Sequence, residues 1–314
     1  MKCLVSGATG FIGRRLCRQL FANGDSVTAL SRSGNPLPDG TRTHPVNLAS
    51  GTPADELLWG ADVVFHLAGI AHQHAPDAAY HAINYLATVR LAHQAARAGV
   101  RCFVFLSSVK AMGPADAQGA RSEDDCALPG DAYGRSKWQA ECALREEFAG
   151  GPMSVIILRP ALVYGPGSKG NLAFLARAVR AGLPRPPQAG GRSMVALDDL
   201  VELLCKVERY AGERVQTWIV ADGQVYTTRY IYDQLRLAQG KGTGLAWLPP
   251  SGWRRAATLL DRLTGAAPGA TFDKLFGTEL YSSAALVAAT GWRPRYQLGD
   301  VIDQMVAPPD TSRR

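Results

Sequence analysis

The stretch Lys2-Cys3-Leu4-Val5-Ser6-Gly7-Ala8-Thr9-Gly10-Phe11-Ile12-Gly13-Arg14-Arg15-Leu16 fixes what the chain can fold into. It reads as a short buried strand that turns through three glycines into a helix, on which Leu16, Leu20 and Phe21 recur at helical spacing. Gly7 permits the tight turn, Gly10 lets backbone N–H groups approach an anion, and Gly13 lets the helix lie against its strand. The helix N-terminus adds partial positive charge, so a diphosphate suits this turn. The spacing is G-x-x-G-x-x-G, and three glycines alone would also describe an ordinary strand-turn-helix connection. Their place between an apolar strand and an amphipathic helix at the head of the chain favours a dinucleotide site.

A chain of 314 residues with 46% hydrophobic and 19% charged residues can bury a large core, as one domain or two interleaved ones, and is not a disordered sequence. No apolar run approaches the roughly 18 residues of a membrane span. Glycines interrupt the first apolar stretch and Arg14-Arg15 follow it, unlike a signal peptide, so a cytoplasmic location is expected. A net charge of +7 suits an anionic ligand, but no basic run or aromatic-interleaved stripe points to nucleic acid. Cys3, Cys17, Cys102, Cys126, Cys142 and Cys205 include no C-x-x-C pair and read as small core residues. His66, His72, His74 and His81 lack metal-ligand spacing, so no metal is expected.

Strand and helix patterns alternate from there. Ser26–Leu30 reads as a second strand, followed by Ser31-Arg32-Ser33. A carboxylate is usual at this strand end when a ribose 2′-hydroxyl is bound, and an arginine when a 2′-phosphate is bound. Ser31 occupies the acidic position, with Arg32 next to it and Arg14 beyond the third glycine; NADP(H) is favoured and NAD(H) is second choice. Further strands are expected at Thr43–Leu48, Ala61–Gly69, Cys102–Leu106 and Met153–Leu158, and helices at His81–Gly99 and Ala132–Phe148, the latter capped by Asp131. Met112–Leu128 reads as a loop. The pattern is that of a parallel sheet covered on both faces by helices. After residue 165 the composition shifts. Shorter helices near Leu172–Ala181, Thr228–Gln239 and Gly252–Thr264 suggest a smaller ligand-covering region, with returns to the sheet at Val195–Tyr210 and Thr217–Val220.

Tyr133-Gly134-Arg135-Ser136-Lys137 places a phenol and an ammonium four residues apart on one helix face. Taken alone this is a surface pair. Behind a dinucleotide turn, and with Ser108 just past the end of the preceding strand, it makes an alcohol-carbonyl oxidoreductase site. Tyrosine ionises near about pH 10, so proton transfer near neutrality asks for roughly 4 kcal/mol of help for the phenolate. Lys137, a nicotinamide charge and the helix N-terminus would all act in that direction. Ser108 would hydrogen-bond the reacting oxygen.

With these residues the chain resembles the extended short-chain dehydrogenase/reductases of the NAD-dependent epimerase/dehydratase type. The resemblance rests on Gly7-x-x-Gly10-x-x-Gly13, His66-Leu67-Ala68-Gly69, Leu106-Ser107-Ser108, Tyr133-x-x-x-Lys137, Leu158-Arg159-Pro160 and Tyr164-Gly165-Pro166-Gly167. Lys169-Gly170-Asn171-Leu172 and the run from Gly191-Arg192 to Asp198-Asp199-Leu200 also match. It implies a Rossmann-type doubly wound α/β fold: a dinucleotide-binding domain at 1–165, returning to the sheet at 195–224, a nucleotide-sugar-binding region at 166–194 and 225–307, and a flexible tail at 308–314. It further implies cofactor contacts from Gly7, Gly10, Phe11, Ile12, Gly13, Arg14, Arg32, Asn47, Leu48, Leu67, Ala68, Gly69, Tyr133, Lys137, Pro160 and Val163. Ser108, Tyr133 and Lys137 would be catalytic, and Ser108, Lys110, Tyr133, Asn171 and Arg192 would meet a UDP-sugar.

Within the family the chain is most similar to bacterial UDP-sugar 4-ketoreductases that form UDP-N-acetylquinovosamine, through Phe105–Lys110, Val163–Asn171 and Ser193–Leu200. A 4-epimerase is the alternative, although the asparagine that many epimerases carry is Leu162 here. A non-catalytic dinucleotide sensor is a third reading, against which the intact Ser108, Tyr133 and Lys137 argue. The adenine-facing aspartate of the family is Asn47 here, and Val109-Lys110-Ala111 stands where dehydratases carry an acid-base pair. A homodimer is expected through the helices near 81–99 and 132–148, with Trp138, Cys142 and Arg145 facing outward.

Overall fold

A computed structural model of the protein describes residues 1–71, 75–114, 119–168, 171–212, 215–265 and 267–306. His72, His74, Lys169, Gly170 and the 308–314 tail lie outside the described residues, as does the side chain of Asn171. In chain order the main elements are β1 (Lys2–Ser6), α1 (Phe11–Ala22), β2 (Ser26–Ser31), β3 (His44–Pro45), β4 (Val63–His66), α2 (Asp77–Tyr80), a π-helical segment His81–Leu86, α3 (Ala87–Arg97), β5 (Cys102–Leu106) and α4 (Ala132–Phe148). There follow β6 (Ser154–Pro160), β7 (Leu162–Tyr164), α5 (Asn171–Arg180), β8 (Gly191–Arg192), β9 (Met194–Ala196), α6 (Leu197–Leu204) and β10 (Gln216–Val220). The chain ends with α7 (Thr228–Ala238), α8 (Pro250–Thr264), α9 (Ala270–Phe276), β11 (Thr278–Glu279), α10 (Ala284–Thr290) and α11 (Leu298–Val306).

Two compact units divide the chain, and the first comprises Met1–Ala161, Leu197–Val220 and Ser283–Arg293. Its seven-stranded sheet runs β10-β6-β5-β4-β1-β2-β3, with every pairing parallel. The strand order reverses between β1 and β4, the place where such sheets open a ligand crevice at their carboxyl ends. Every residue of β4 and β5 is buried, as parallel strands covered on both faces require. Leu91, Ala92 and Ala95 of α3 and Ala140, Leu144 and Phe148 of α4 close over Leu4, Val64, Phe103, Phe105, Val155 and Ile157. Phe105 is fully buried; cutting it back to alanine would cost about 3–5 kcal/mol.

Local chemistry trims several expected elements. The strand expected over Thr43–Leu48 shrinks to His44–Pro45, where Pro45 has no N–H for a ladder. The strand expected at Ala61–Gly69 ends at His66, after which the backbone crosses above Gly7. Helix α4 spans the expected Ala132–Phe148, with Asp131 Oδ1 accepting from the Gly134 N–H at 2.9 Å. The segment expected to return as Val195–Tyr210 does so as helix rather than strand. Met194–Ala196 pairs with Leu162–Tyr164 in a separate two-stranded sheet, and α6 packs on α1, with Arg15 Nε 2.7 Å from Asp198. Cys126 is exposed and Cys142 half-buried, so these two are not core residues.

The second unit comprises Leu162–Ala196, Ala221–Ser282 and Pro294–Arg314. It has two small parallel pairs, β7 with β9 and β8 with β11. Tyr164, Leu172, Ile231, Tyr232, Leu298 and Ile302 form its core. Among the described residues no helix is long and apolar enough to cross a membrane.

Candidate active site

The glycine turn between β1 and α1 is shaped by what a side chain would strike. Gly7 has φ 72°, and a Cβ there would sit 2.7 Å from the Ala68 nitrogen. A Cβ on Gly13 would sit 2.2 Å from the Gly7 carbonyl oxygen. The turn therefore closes on β4 and on its own helix only with glycine at both positions. Gly10 is the N-cap of α1 and supplies no side-chain acceptor. Its own N–H donates to Gly7 O at 2.9 Å, so the amides left to approach an anion are those of the residues that follow it. The N–H groups of Phe11, Ile12 and Gly13 open the helix and have no carbonyl a turn earlier to bond. A backbone concavity that excludes Cβ atoms, followed by an uncapped helix start, fits a dinucleotide diphosphate.

Chemistry-bearing side chains gather where β5 and α4 come together. Just past β5, Ser108 caps the short helix Val109–Met112, its Oγ accepting the Lys110 N–H at 3.2 Å. It also hydrogen-bonds the Tyr133 phenol, which lies in the first turn of α4. Burial pushes the Tyr133 hydroxyl above its ordinary value, and the Ser108 bond pulls it part of the way back. The sequence suggested a phenol shifted toward the phenolate; in the fold, desolvation outweighs the Ser108 hydrogen bond. Lys137 is buried, and its Nζ donates to Leu106 O at 2.8 Å and lies 4.6 Å from the Phe105 ring centre. Burial lowers its pKa to about 8, with Glu141 acting the other way. Gly69 belongs here too: a Cβ on it would stand 2.9 Å from Asn84 Oδ1 and 3.3 Å from Lys137 Nζ.

Two buried polar systems hold these groups. Glu141, one turn beyond Lys137, accepts from Ser107 Oγ at 2.5 Å, Arg159 NH2 at 2.7 Å and Arg145 NH2 at 3.0 Å. These contacts pin α4 to the ends of β5 and β6. In the second system the Thr88 hydroxyl donates to Asn84 O at 2.8 Å, so it must accept from His66 Nε2 at 2.9 Å. That leaves His66 Nδ1 to accept from Ser6 Oγ at 2.7 Å. Burial, aided by Lys137, drops the His66 pKa to about 3, so the ring is neutral. The Asn84 side chain bonds both backbone groups of Ile70 and the Ser136 hydroxyl at 3.0 Å, and Ser136 donates to Tyr133 O at 2.8 Å. The π-helical segment contains Asn84; such bulges often serve functional positions. Sequence reasoning missed Asn84, Thr88 and Glu141. The available signal was polar residues at the four-residue spacings Tyr80-Asn84-Thr88 and Tyr133-Lys137-Glu141, on faces that proved buried.

The other expected site residues fall as follows. Leu67, Ala68 and Gly69 follow β4 beside the glycine turn, and Pro160 ends β6. Arg14 and Arg32 are exposed, whereas Ser31 is buried, 2.7 Å from Thr43 Oγ1, and accepts from the Gly34 N–H. Asn47 is exposed; its Oδ1 accepts from the Ala49 N–H, and Leu48 O accepts from Arg90. Lys110 is exposed. Val163, Asn171 and Arg192 belong to the second unit. Arg192 NH2 donates to Lys274 O at 2.7 Å, and burial lowers its pKa, with Glu279 opposing.

Comparison with known proteins is consistent with this layout. Residues 3–216 match the family described as NAD dependent epimerase/dehydratase family. A UDP-glucose 4-epimerase of Vibrio cholerae is 32% identical over 314 residues, covering 96% of this chain and 93% of that protein. A dTDP-6-deoxy-L-talose 4-dehydrogenase (NAD(P)(+)) of Kitasatospora kifunensis is 28% identical, with 96% and 93% covered. Among solved structures, MoeE5 in complex with UDP-glucose and NAD superposes with a TM-score of 0.77 at 25% identity, over 98% of this chain and 97% of that one.

Proposed function

The chain belongs to the NAD-dependent epimerase/dehydratase family, and on that footing we propose that it reduces the C4 ketone of a UDP-4-keto-6-deoxy-hexosamine. The placement of Tyr133 carries this reading. A reductase needs an acid that can give a proton to the ketone oxygen, and the Tyr133 phenol, in the first turn of α4, is hydrogen-bonded to Ser108. When bound, a nicotinamide dinucleotide supplies the hydride. Ser108 hydrogen-bonds the ketone oxygen and Tyr133 protonates it as charge develops there. Lys137 offers a positive charge to the phenolate left behind.

The end of β2 supports NADP(H) as the reductant, with NAD(H) second. Residues 31–36 contain no carboxylate to repel a 2′-phosphate, and Arg14 and Arg32 are exposed. Dehydration is disfavoured, because Val109, Lys110 and Ala111 follow Ser108 and provide no carboxylate for elimination. A 4-epimerase is the second reading, favoured by the name of the Vibrio relative. The enzyme is assigned to the cytoplasm as a homodimer joined through α3 and α4.

Purified protein given a UDP-4-keto sugar and NADPH or NADH decides between the two. Stoichiometric loss of reduced-cofactor absorbance is the reductase result. Sugar interconversion with no net cofactor change would replace it with the epimerase.

A further inference from the structure

Helix α8 turns an apolar stripe to solvent. Its packed face is Trp253, Ala257 and Asp261, buried at four-residue spacing where α8 meets α9. Asp261 is not a surface charge: its carboxylate accepts the N–H groups of Gly269 at 2.8 Å and Thr271 at 3.0 Å. On another side, Ala256, Leu259, Leu260 and Leu263 follow three- and four-residue spacing and so share a face. Leu259, Leu260 and Leu263 are 58%, 41% and 76% exposed, and Leu245 and Trp247, just before the helix, are 78% and 69% exposed. Single exposed leucines are ordinary, but a row of them beside an exposed tryptophan marks an interaction surface.

Arg255 and Arg262, seven residues apart, border the stripe beside Leu259. Arg254 lies over the Phe272 ring at 4.9 Å. From Lys241 to Thr264 the sequence contains one carboxylate, the buried Asp261. We propose that α8, with Trp247, is a surface by which the protein rests on an anionic phospholipid bilayer, its leucines at the acyl boundary and Arg255 and Arg262 at the phosphates. The 15-residue helix is about 22 Å long, short of the roughly 30 Å hydrocarbon core, so it lies in the interface plane. An apolar face bordered by arginines, low in net hydrophobicity, is the chemistry of such helices. A second copy would bring the same cationic border to a twofold contact, with like charges meeting, whereas a headgroup layer supplies the anions.

The test is flotation of the full chain with vesicles of phosphatidylcholine alone or mixed with phosphatidylglycerol. Binding is expected with the anionic vesicles, weakening as salt rises. Leu259→Asp combined with Leu263→Asp should lower partitioning at least about tenfold, and Arg255→Gln or Arg262→Gln about fivefold each. Melting temperature should stay unchanged, because these side chains face solvent. Quenching by brominated lipid should drop in Trp247→Phe. Absence of flotation with anionic vesicles, or undiminished binding by the double aspartate variant, overturns the proposal. So does a dimer that the aspartate variant splits without any vesicle binding, which would assign the stripe to a second copy.

Discussion

Lys137 stores a pH-dependent cost in the fold that can be read out without substrate. Its side chain is 4% exposed, and burial takes its pKa from 10.5 to about 8. Between those values the unfolded chain still holds a proton that the folded chain has released, so this group makes stability rise with pH. A difference of that size corresponds to roughly 3 kcal/mol, gained at up to about 1.4 kcal/mol per pH unit. The cysteines work the other way. Burial pushes Cys3, Cys17, Cys102 and Cys205 up to about 12, so their thiols ionise first in the unfolded chain and favour it as pH rises. A single stability curve mixes both effects, and the difference between wild type and Lys137→Met isolates the lysine. Methionine fills similar space and does not titrate; any change in the hydrogen bond to Leu106 O as the ammonium loses its proton is already contained in the lysine's folded-state pKa. Urea unfolding at several pH values should show the stability of Lys137→Met relative to wild type falling by roughly 3 kcal/mol from pH 7 to above pH 10. A constant difference across that range would refute the reasoning, because Lys137 would then titrate alike in both states.

Four further outcomes are expected. Tyr133→Phe should reduce turnover on the order of a thousandfold while dinucleotide binding, followed by fluorescence, is kept; near-normal turnover sinks the proton-donor role. Arg32→Ala should weaken NADPH about tenfold to a hundredfold and leave NADH nearly unchanged, and equal weakening of both would mean that Arg32 does not read the 2′-phosphate. Glu141→Gln removes the charge opposite buried Arg159 and should cost about 3–5 kcal/mol in chemical denaturation; a loss too small to measure would remove its structural role. Sedimentation should show a dimer, and a monomer at all concentrations would contradict the association through α3 and α4.

Legibility in the sequence followed the range of the interactions. Asp131 at the start of α4 and Gly7 at the turn act on their immediate neighbours, and both were readable from spacing. The strands β4 and β5 announced themselves as unbroken apolar runs. Asn84 was hidden because its partners, Ile70 and Ser136, lie 14 and 52 positions away, and nothing local distinguishes it from a solvated helix residue. Glu141 drew no notice in the sequence because its partners Ser107 and Arg159 come from the ends of two strands far along the chain. The protonation of Tyr133 could not be read either, since desolvation depends on how tightly neighbours close around it.

The seven-stranded unit is assembled from three separated stretches of chain, and this bears on its synthesis. As the polypeptide emerges, β6 is made well before β10, and most of the intervening chain belongs to the other unit. Until Gln216–Val220 arrives, the outer side of Ile156–Pro160 presents unpaired backbone groups on a strand whose residues, Arg159 apart, are buried and apolar. An edge of that kind recruits other strands. Cutting the protein after Ala161 would make the nascent vulnerability permanent, so the seven-stranded unit is not separable by truncation, and β10 acts as the sheet's built-in guard against aggregation.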